Sequence, residues 1–180
     1  MKNTFLLFIL FSGLLFSQEL KFEEVVQAEG LSAKQLYDNA ILWAANNYKS
    51  SNDVIQVKDS ENFIILGKGS YKYKPDFFMA HVPAIGWIRH TFKISCKDGR
   101  YKYEIYDFEH EGSNNSYGQN GTIGILNDGE KYTGSSKALD KGYRNRTNRD
   151  AVKQSKQFVE LTVSSLKKDM IKANHKNENW

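Results

Sequence analysis

LSAKQLYDNAILWAANNYKSS, residues 31–51, leads almost directly into VIQVKDSENFIILGKG, residues 54–69. The first piece carries apolar side chains at helical spacing. Leu36, Ala40 and Trp43, flanked by Tyr37, Ile41, Ala44 and Tyr48, make a broad stripe, while Lys34, Asp38, Asn39 and Asn46 fall on the other side. Ser32 stands where an N-cap belongs, with Gln35 three residues on to complete a capping box. The second piece reads as a hairpin: Val54–Lys58, a tight turn over Asp59–Asn62, then a long strand from Phe63 to Tyr73. A helix with so wide an apolar face has to be covered, and a sheet is the natural cover.

Outward from this stretch the same reading continues. Leu20–Ala28 is a first strand in which Phe22, Val26 and Ala28 alternate, but Glu24 falls in phase with them and implies an edge strand or a bulge. Lys74–Gly86 holds both prolines, Pro75 and Pro83, and reads as a connection that carries the apolar group Phe77, Phe78 and Met79. Trp87–Lys97 and Arg100–Glu111 form a second hairpin around Asp98-Gly99. Residues 112–147 form a long polar loop, with one apolar patch at Ile123–Leu126. Asn148 or Asp150 is placed to cap a last helix, with Val152, Ser155, Val159, Thr162, Leu166 and Met170 along one face. The expected fold is α+β, order β-α-β-β-β-β-α: one curved antiparallel sheet of about five strands with two helices.

The N-terminus carries an address. Lys2 precedes an apolar run from Phe5 to Phe16, and Leu15 and Ser17 occupy the −3 and −1 positions of a cut before Gln18. Residues 1–17 therefore read as a signal peptide, residues 18–173 as one domain and residues 174–180 as a polar tail. The run is too short for an ordinary membrane span, and no later segment is apolar enough to be one. The mature chain is expected to be exported, periplasmic or extracellular, without a transmembrane segment. The net charge of +4 decides little, because acidic residues are interspersed among the basic ones. Cys96 is the single cysteine, so no intrachain disulfide can form; in phase with Phe92 and Ile94, it is expected to be a small buried residue.

Chemistry is sparse. Gly67 and Gly69 lie inside a strand, which implies bending, close packing against a helix, or a ligand pressed against bare backbone. No Lys-Ser or Lys-Thr follows at phosphate-loop spacing, and no Gly-x-Ser-x-Gly elbow exists. His81, His90, His110 and His175 do not pair at metal-ligand spacing. Asp107, Glu109, His110 and Glu111 form the densest acid–base group, with the three carboxylates on one face of a strand and His110 on the other. Lys141, Arg144, Arg146 and Arg149 form a basic cluster, read as a solvated flank or an anion-binding patch. Asn114, Asn120 and Asn145 each open an Asn-x-Ser/Thr sequon.

Phe22, Val25, Val26, Gly30, Ser32, Leu36, Tyr37 and Trp43, then Val54-Ile55-Gln56, Asp59, and Ile65 with Gly67-Lys68-Gly69, resemble the DUF4468 family. The resemblance covers roughly residues 22–97. It implies a fold like that of the TATA-binding protein. It carries no activity and no site residue with it. A fold shared with a DNA-binding protein does not confer DNA binding, and an exported chain is delivered away from the chromosome, so no nucleic-acid partner is expected. The expected function is non-enzymatic binding of a small ligand or peptide, with Gly67, Gly69, Phe77, Phe78 and Met79 as candidate ligand-binding residues. No catalytic residue, metal or cofactor is implied. The alternatives are an interaction subunit of the cell envelope and a hydrolase, for which Asp107, Glu109 and His110 are the place to look.

Overall fold

In the computed structural model, which describes residues 19–48, 54–77, 82–129, 132 and 134–172, helix α1 spans Ala33–Asn47. Ser32 and Gln35 form the reciprocal capping box: the Gln35 amide donates to Ser32 Oγ at 3.3 Å, and the Ser32 amide donates to Gln35 Oε1 at 2.9 Å. A further cap comes from far along the chain. The Ala33 amide donates to Asp98 Oδ1 at 2.7 Å, so the turn of the second hairpin also seals the helix start. Leu36, Tyr37, Ala40, Trp43 and Ala44 are buried on one face. Asn39, expected to face solvent, is buried instead. Its side-chain amide donates to the carbonyls of Met170 and Lys172 at 2.9 and 3.0 Å, satisfying backbone at the end of the last helix.

The strands are β1 (Phe22–Gln27), β2 (Ile55–Asp59), β3 (Ile64–Tyr73), β4 (Gly86–Lys97), β5 (Arg100–Gly112) and β6 (Gly124–Ile125), and the second helix, α2, spans Lys141–Met170. All strand pairs are antiparallel, in the order β1-β5-β4-β3-β2, with β6 against the far half of β5. β1 is an edge strand, as Glu24 implied. Its carboxylate accepts from Tyr103 Oη at 2.8 Å and pairs with Lys167 of α2 at 2.8 Å. Trp43 of α1 meets Phe92 and Phe158 of α2 meets His90, so both helices lie on the β4 face that carries Ile88, His90, Phe92, Ile94 and Cys96. Cys96 is buried there, and burial pushes its thiol up to about 12. The opposite face, bearing Trp87, Arg89, Lys93, Glu104 and Glu109, carries neither helix.

Strand β5 does not keep one alternation. Arg89 pairs with Glu109 and Thr91 with Tyr106, so Asp107 and Phe108 together oppose His90 in a bulge, with Asp107 at φ +54°. The extra residue reverses the phase. Tyr101, Tyr103 and Ile105 are buried before it, and Phe108 and His110 after it.

The last helix begins earlier than periodicity indicated. It starts at Lys141, capped by Asp140 Oδ1, which accepts from the Tyr143 amide at 3.0 Å. Its first ten residues carry no apolar stripe, which is why the hydrophobic pattern points to a later start. Asn148 and Asp150, the expected caps, lie inside the helix and tie other segments to it. Asn148 exchanges hydrogen bonds with the backbone of Asn127 at 2.9 and 3.3 Å. The polar stretch after β5 therefore contains β6 and the opening turns of α2.

Candidate functional site

The inward positions of β3 are Ile65, Gly67, Gly69, Tyr71 and Tyr73. The two glycines leave room for rings from elsewhere. A Cβ on Gly67 would meet the Phe92 ring and lie 2.8 Å from the Val54 carbonyl; one on Gly69 would meet the Tyr48 ring and lie 2.7 Å from His90 Nε2. The space above both glycines is thus filled by Phe92, Tyr48 and His90, with Tyr48 stacked on Phe92 at 5.2 Å.

His90 is the centre of this aromatic group. It is 2% exposed and surrounded by Tyr48, Tyr71, Phe108 and Phe158, with ring centroids 4.9–6.4 Å away. Nε2 shares a hydrogen bond with Tyr48 Oη at 3.1 Å, and Nδ1 has no partner among the described residues. Burial lowers its pKa to about 4. Below about 6.5 the unfolded chain takes up a proton that the folded chain refuses until about 4, so this stability is present at neutral pH and lost as pH falls through that window. The loss is expected to reach roughly 3 kcal/mol in urea titrations from pH 7 to 4. His110 is buried as well, so a His90→Phe chain should lose only His90's share of that acid limb; an unchanged limb would refute the assignment.

Tyr71 stacks on Phe158 of α2, centroids 4.4 Å apart and planes 17° off parallel. Ser155 Oγ donates to the Ala151 carbonyl at 2.8 Å, so its 2.8 Å contact with Tyr71 is donated by the phenol. Burial raises the Tyr71 phenol to about 12. Beyond Tyr73 the chain turns into residues 74–77, held by Asp150 of α2. One oxygen, Oδ2, accepts from Tyr73 Oη at 2.9 Å, the Asp76 amide at 3.1 Å and Gln154 Nε2 at 3.0 Å. Between this fastened connection and α2 lies an open groove of about 750 Å³, with Tyr71, Phe77, Phe158 and Leu161 as its apolar walls and Lys74 and Gln157 among its polar ones. Leu161 is 75% exposed, and the Arg146 guanidinium lies 4.3 Å over the Phe77 ring.

Of the residues that the sequence singles out, Phe77 lines the groove, and Gly69 lies under the His90 ring behind it. Gly67 sits deeper, under Phe92. Phe78 and Met79 fall outside the described residues, as do the signal segment, the tail, His81 and His175. The acid–base group divides as strand alternation predicts, with Asp107 and Glu109 exposed and His110 on the other face. His110 is fully buried on the helix side, its Nε2–H donating to the Ala84 carbonyl at 2.8 Å and its Nδ1 accepting from the Ile123 amide at 3.2 Å. Both nitrogens are thereby committed, and burial lowers its pKa. Among the described residues no three metal-ligating side chains cluster. The basic cluster lies on the opening turns of α2, where Arg146 covers Phe77 and Arg144 donates to the Leu139 carbonyl at 2.9 Å.

Sequence reasoning did not single out Tyr71, His90, Phe158 or Leu161 as site residues. One signal was present. Leu161 lies off the apolar stripe of α2 and three residues from Phe158, which marks a second, narrower apolar face.

The family model described as a domain of unknown function (DUF4468) with TBP-like fold matches residues 22–111. Among solved structures, a DUF4468 family protein from Bacteroides ovatus superposes with a TM-score of 0.54 at 16% identity, covering 88% of this chain and 90% of that one. A TBP-like protein from Parabacteroides distasonis superposes with a TM-score of 0.51 at 11% identity, covering 83% and 93%. At such identities the likeness concerns the fold. A comparison with curated proteins finds no match.

Proposed function

The chain belongs to the DUF4468 family of domains of unknown function with a TBP-like fold, and we propose that it is an exported, non-enzymatic binding domain that holds a small ligand or peptide in the groove between residues 71–77 and α2. The observation that carries this reading is the construction of the groove. Its walls expose Leu161 and partly expose Phe77 and Phe158, while one half-buried carboxylate, Asp150, fixes the connection that forms its rim. Exposed apolar walls on a fastened frame suit a ligand with an apolar body. No helix among the described residues is long and apolar enough to cross a membrane.

Native mass spectrometry of the mature protein, purified from its own envelope, tests the reading. A retained small molecule or peptide is expected, with Leu161→Asp reducing affinity about tenfold or more through lost apolar burial and a desolvated charge. No bound species in the wild type, or equal occupancy in both chains, would refute it. N-terminal sequencing tests the export half: the mature chain should begin at Gln18, and an intact Met1 would refute cleavage.

The interaction-subunit reading has one observation in its favour. The helix-free sheet face presents Trp87 at 45% exposure and Ile125 at 53%. Cross-linking in envelopes should then lose its adduct in a Trp87→Ser, Ile125→Ser chain while groove occupancy is unchanged; an unchanged adduct would count against this surface.

A further inference from the structure

We infer that His90, behind the binding groove, is the hydrogen-bond partner for a neutral ligand whose flat ring displaces Phe158, stacks on Tyr71 and carries one hydroxyl. The inference rests on the groove reading above and names the chemistry that site selects. Its starting point is an unmet bond. Nδ1 of His90 has no partner among the described residues, although the residue is only 2% exposed. Either tautomer leaves that atom wanting: an N–H without an acceptor, or a lone pair without a donor. A buried polar atom left unpaired is costly, so a site that keeps one is set to gain when a ligand supplies the partner.

The route to it is given by the two rings that His90 shares with the groove. Tyr71 and Phe158 line the groove wall, stack on each other at 4.4 Å, and lie 6.4 and 4.9 Å from the imidazole. They are not equally fixed. Tyr71 is anchored by its hydroxyl to Ser155, which is itself bonded to Ala151. Phe158 has no polar tether and stands half-buried at the groove, so it is the ring that yields. A planar ligand taking its place keeps the stack on Tyr71. The remaining sides of the imidazole are closed by Gly69, Tyr48 and Phe108. Those walls are apolar apart from the Tyr48 hydroxyl, which favours a neutral phenol-like ring over an ion, and a hydroxyl can meet Nδ1 in either tautomer.

Phenol and toluene are the probes, since they share the ring and differ in the hydroxyl. With mature protein carrying 15N-histidine, phenol is expected to bind about tenfold tighter than toluene and to shift the His90 Nδ1 resonance, while leaving His110, whose nitrogens are both bonded, in place. His90→Phe should bring the two affinities together. Equal affinities in the wild type, or phenol binding with an unmoved Nδ1 signal, would overturn the inference and leave the groove reading intact. Failure of both probes to bind would also overturn it, whereas the groove reading stands or falls on the Leu161→Asp comparison. The wild-type arm decides the matter even if the variant does not fold.

Discussion

Trp43→Ala is expected to lower stability by about 3–5 kcal/mol, the usual cost of removing a large aromatic ring from a packed core. Trp43 is 1% exposed and sits where α1 crosses the sheet. Its ring meets Phe92 edge-on at 5.6 Å and Tyr48 edge-on at 5.9 Å. The same Tyr48 stacks on Phe92 and shares the hydrogen bond of His90, so the cavity would open beside the cluster that backs the groove. Relaxation into it is limited, because Phe92 already lies against Gly67 and the Val54 backbone. A single domain of this size is commonly stable by only about 5–15 kcal/mol, so the variant should sit near the edge of folding. Urea unfolding should show a midpoint lower by about 1 M or more with little change in slope. Leu42→Ala, one residue earlier in α1 and 53% exposed, serves as the comparison and should cost less than about 1 kcal/mol. Equal losses in the two would mean that α1 is turned about its axis relative to the arrangement described.

Gly112→Ala is expected to cost about 3 kcal/mol or more, a large effect for the addition of a single methyl group. A Cβ at Gly112 would collide with the Pro83 carbonyl oxygen and the Gly121 backbone, and one at Gly121 with Pro83 again. This is a meeting of three backbones with no flexible side chain to give way. The Ser113 amide lies 2.9 Å from the Pro83 carbonyl and 3.0 Å from that of Ile85, and the Gly121 amide donates to Ser113 at 2.9 Å. A methyl group would have to part those bonds, which is why the cost should exceed ordinary overpacking. Gly99→Ala gives the contrast. Gly99 is at φ +72°, and a Cβ there would have nothing within 4 Å, so only the left-handed conformation is penalised, at about 1 kcal/mol. Thermal unfolding of the two variants should separate them clearly. Gly112 is not at positive φ, so similar losses would mean that the backbones around it part at little cost.

Much of the fold is legible in the order of residues. The capping box at Ser32, the stripe from Leu36 to Trp43, the two hairpins and the edge character of β1 follow from local periodicity and turn chemistry, and each is found where those rules place it. Those signals work because a helix or hairpin is encoded within a few residues of itself. The groove was only half visible. Phe77 stands out as an apolar residue in a connection, whereas Tyr71 and Phe158 each look like ordinary core positions, and their stacking joins residues far apart in the chain.

What the amino-acid order by itself determines here is where most of the helix and strand segments lie and which of their faces are apolar, although not the opening turns of α2 or strand β6. Tertiary structure alone decides where individual polar residues go. Asn39, Asn148 and Asp150 all look like surface or cap residues, yet each is drawn inward to satisfy backbone of a distant segment, and Asp98 caps a helix that begins sixty-five positions earlier. The bulge at Asp107 likewise turns His110 inward, and the assembled sheet and helices enclose His90 with one nitrogen unmet among the described residues. Hydrogen-bond partners of this kind are chosen by proximity in the folded chain, and a short-range pattern contains no record of who the neighbour will be.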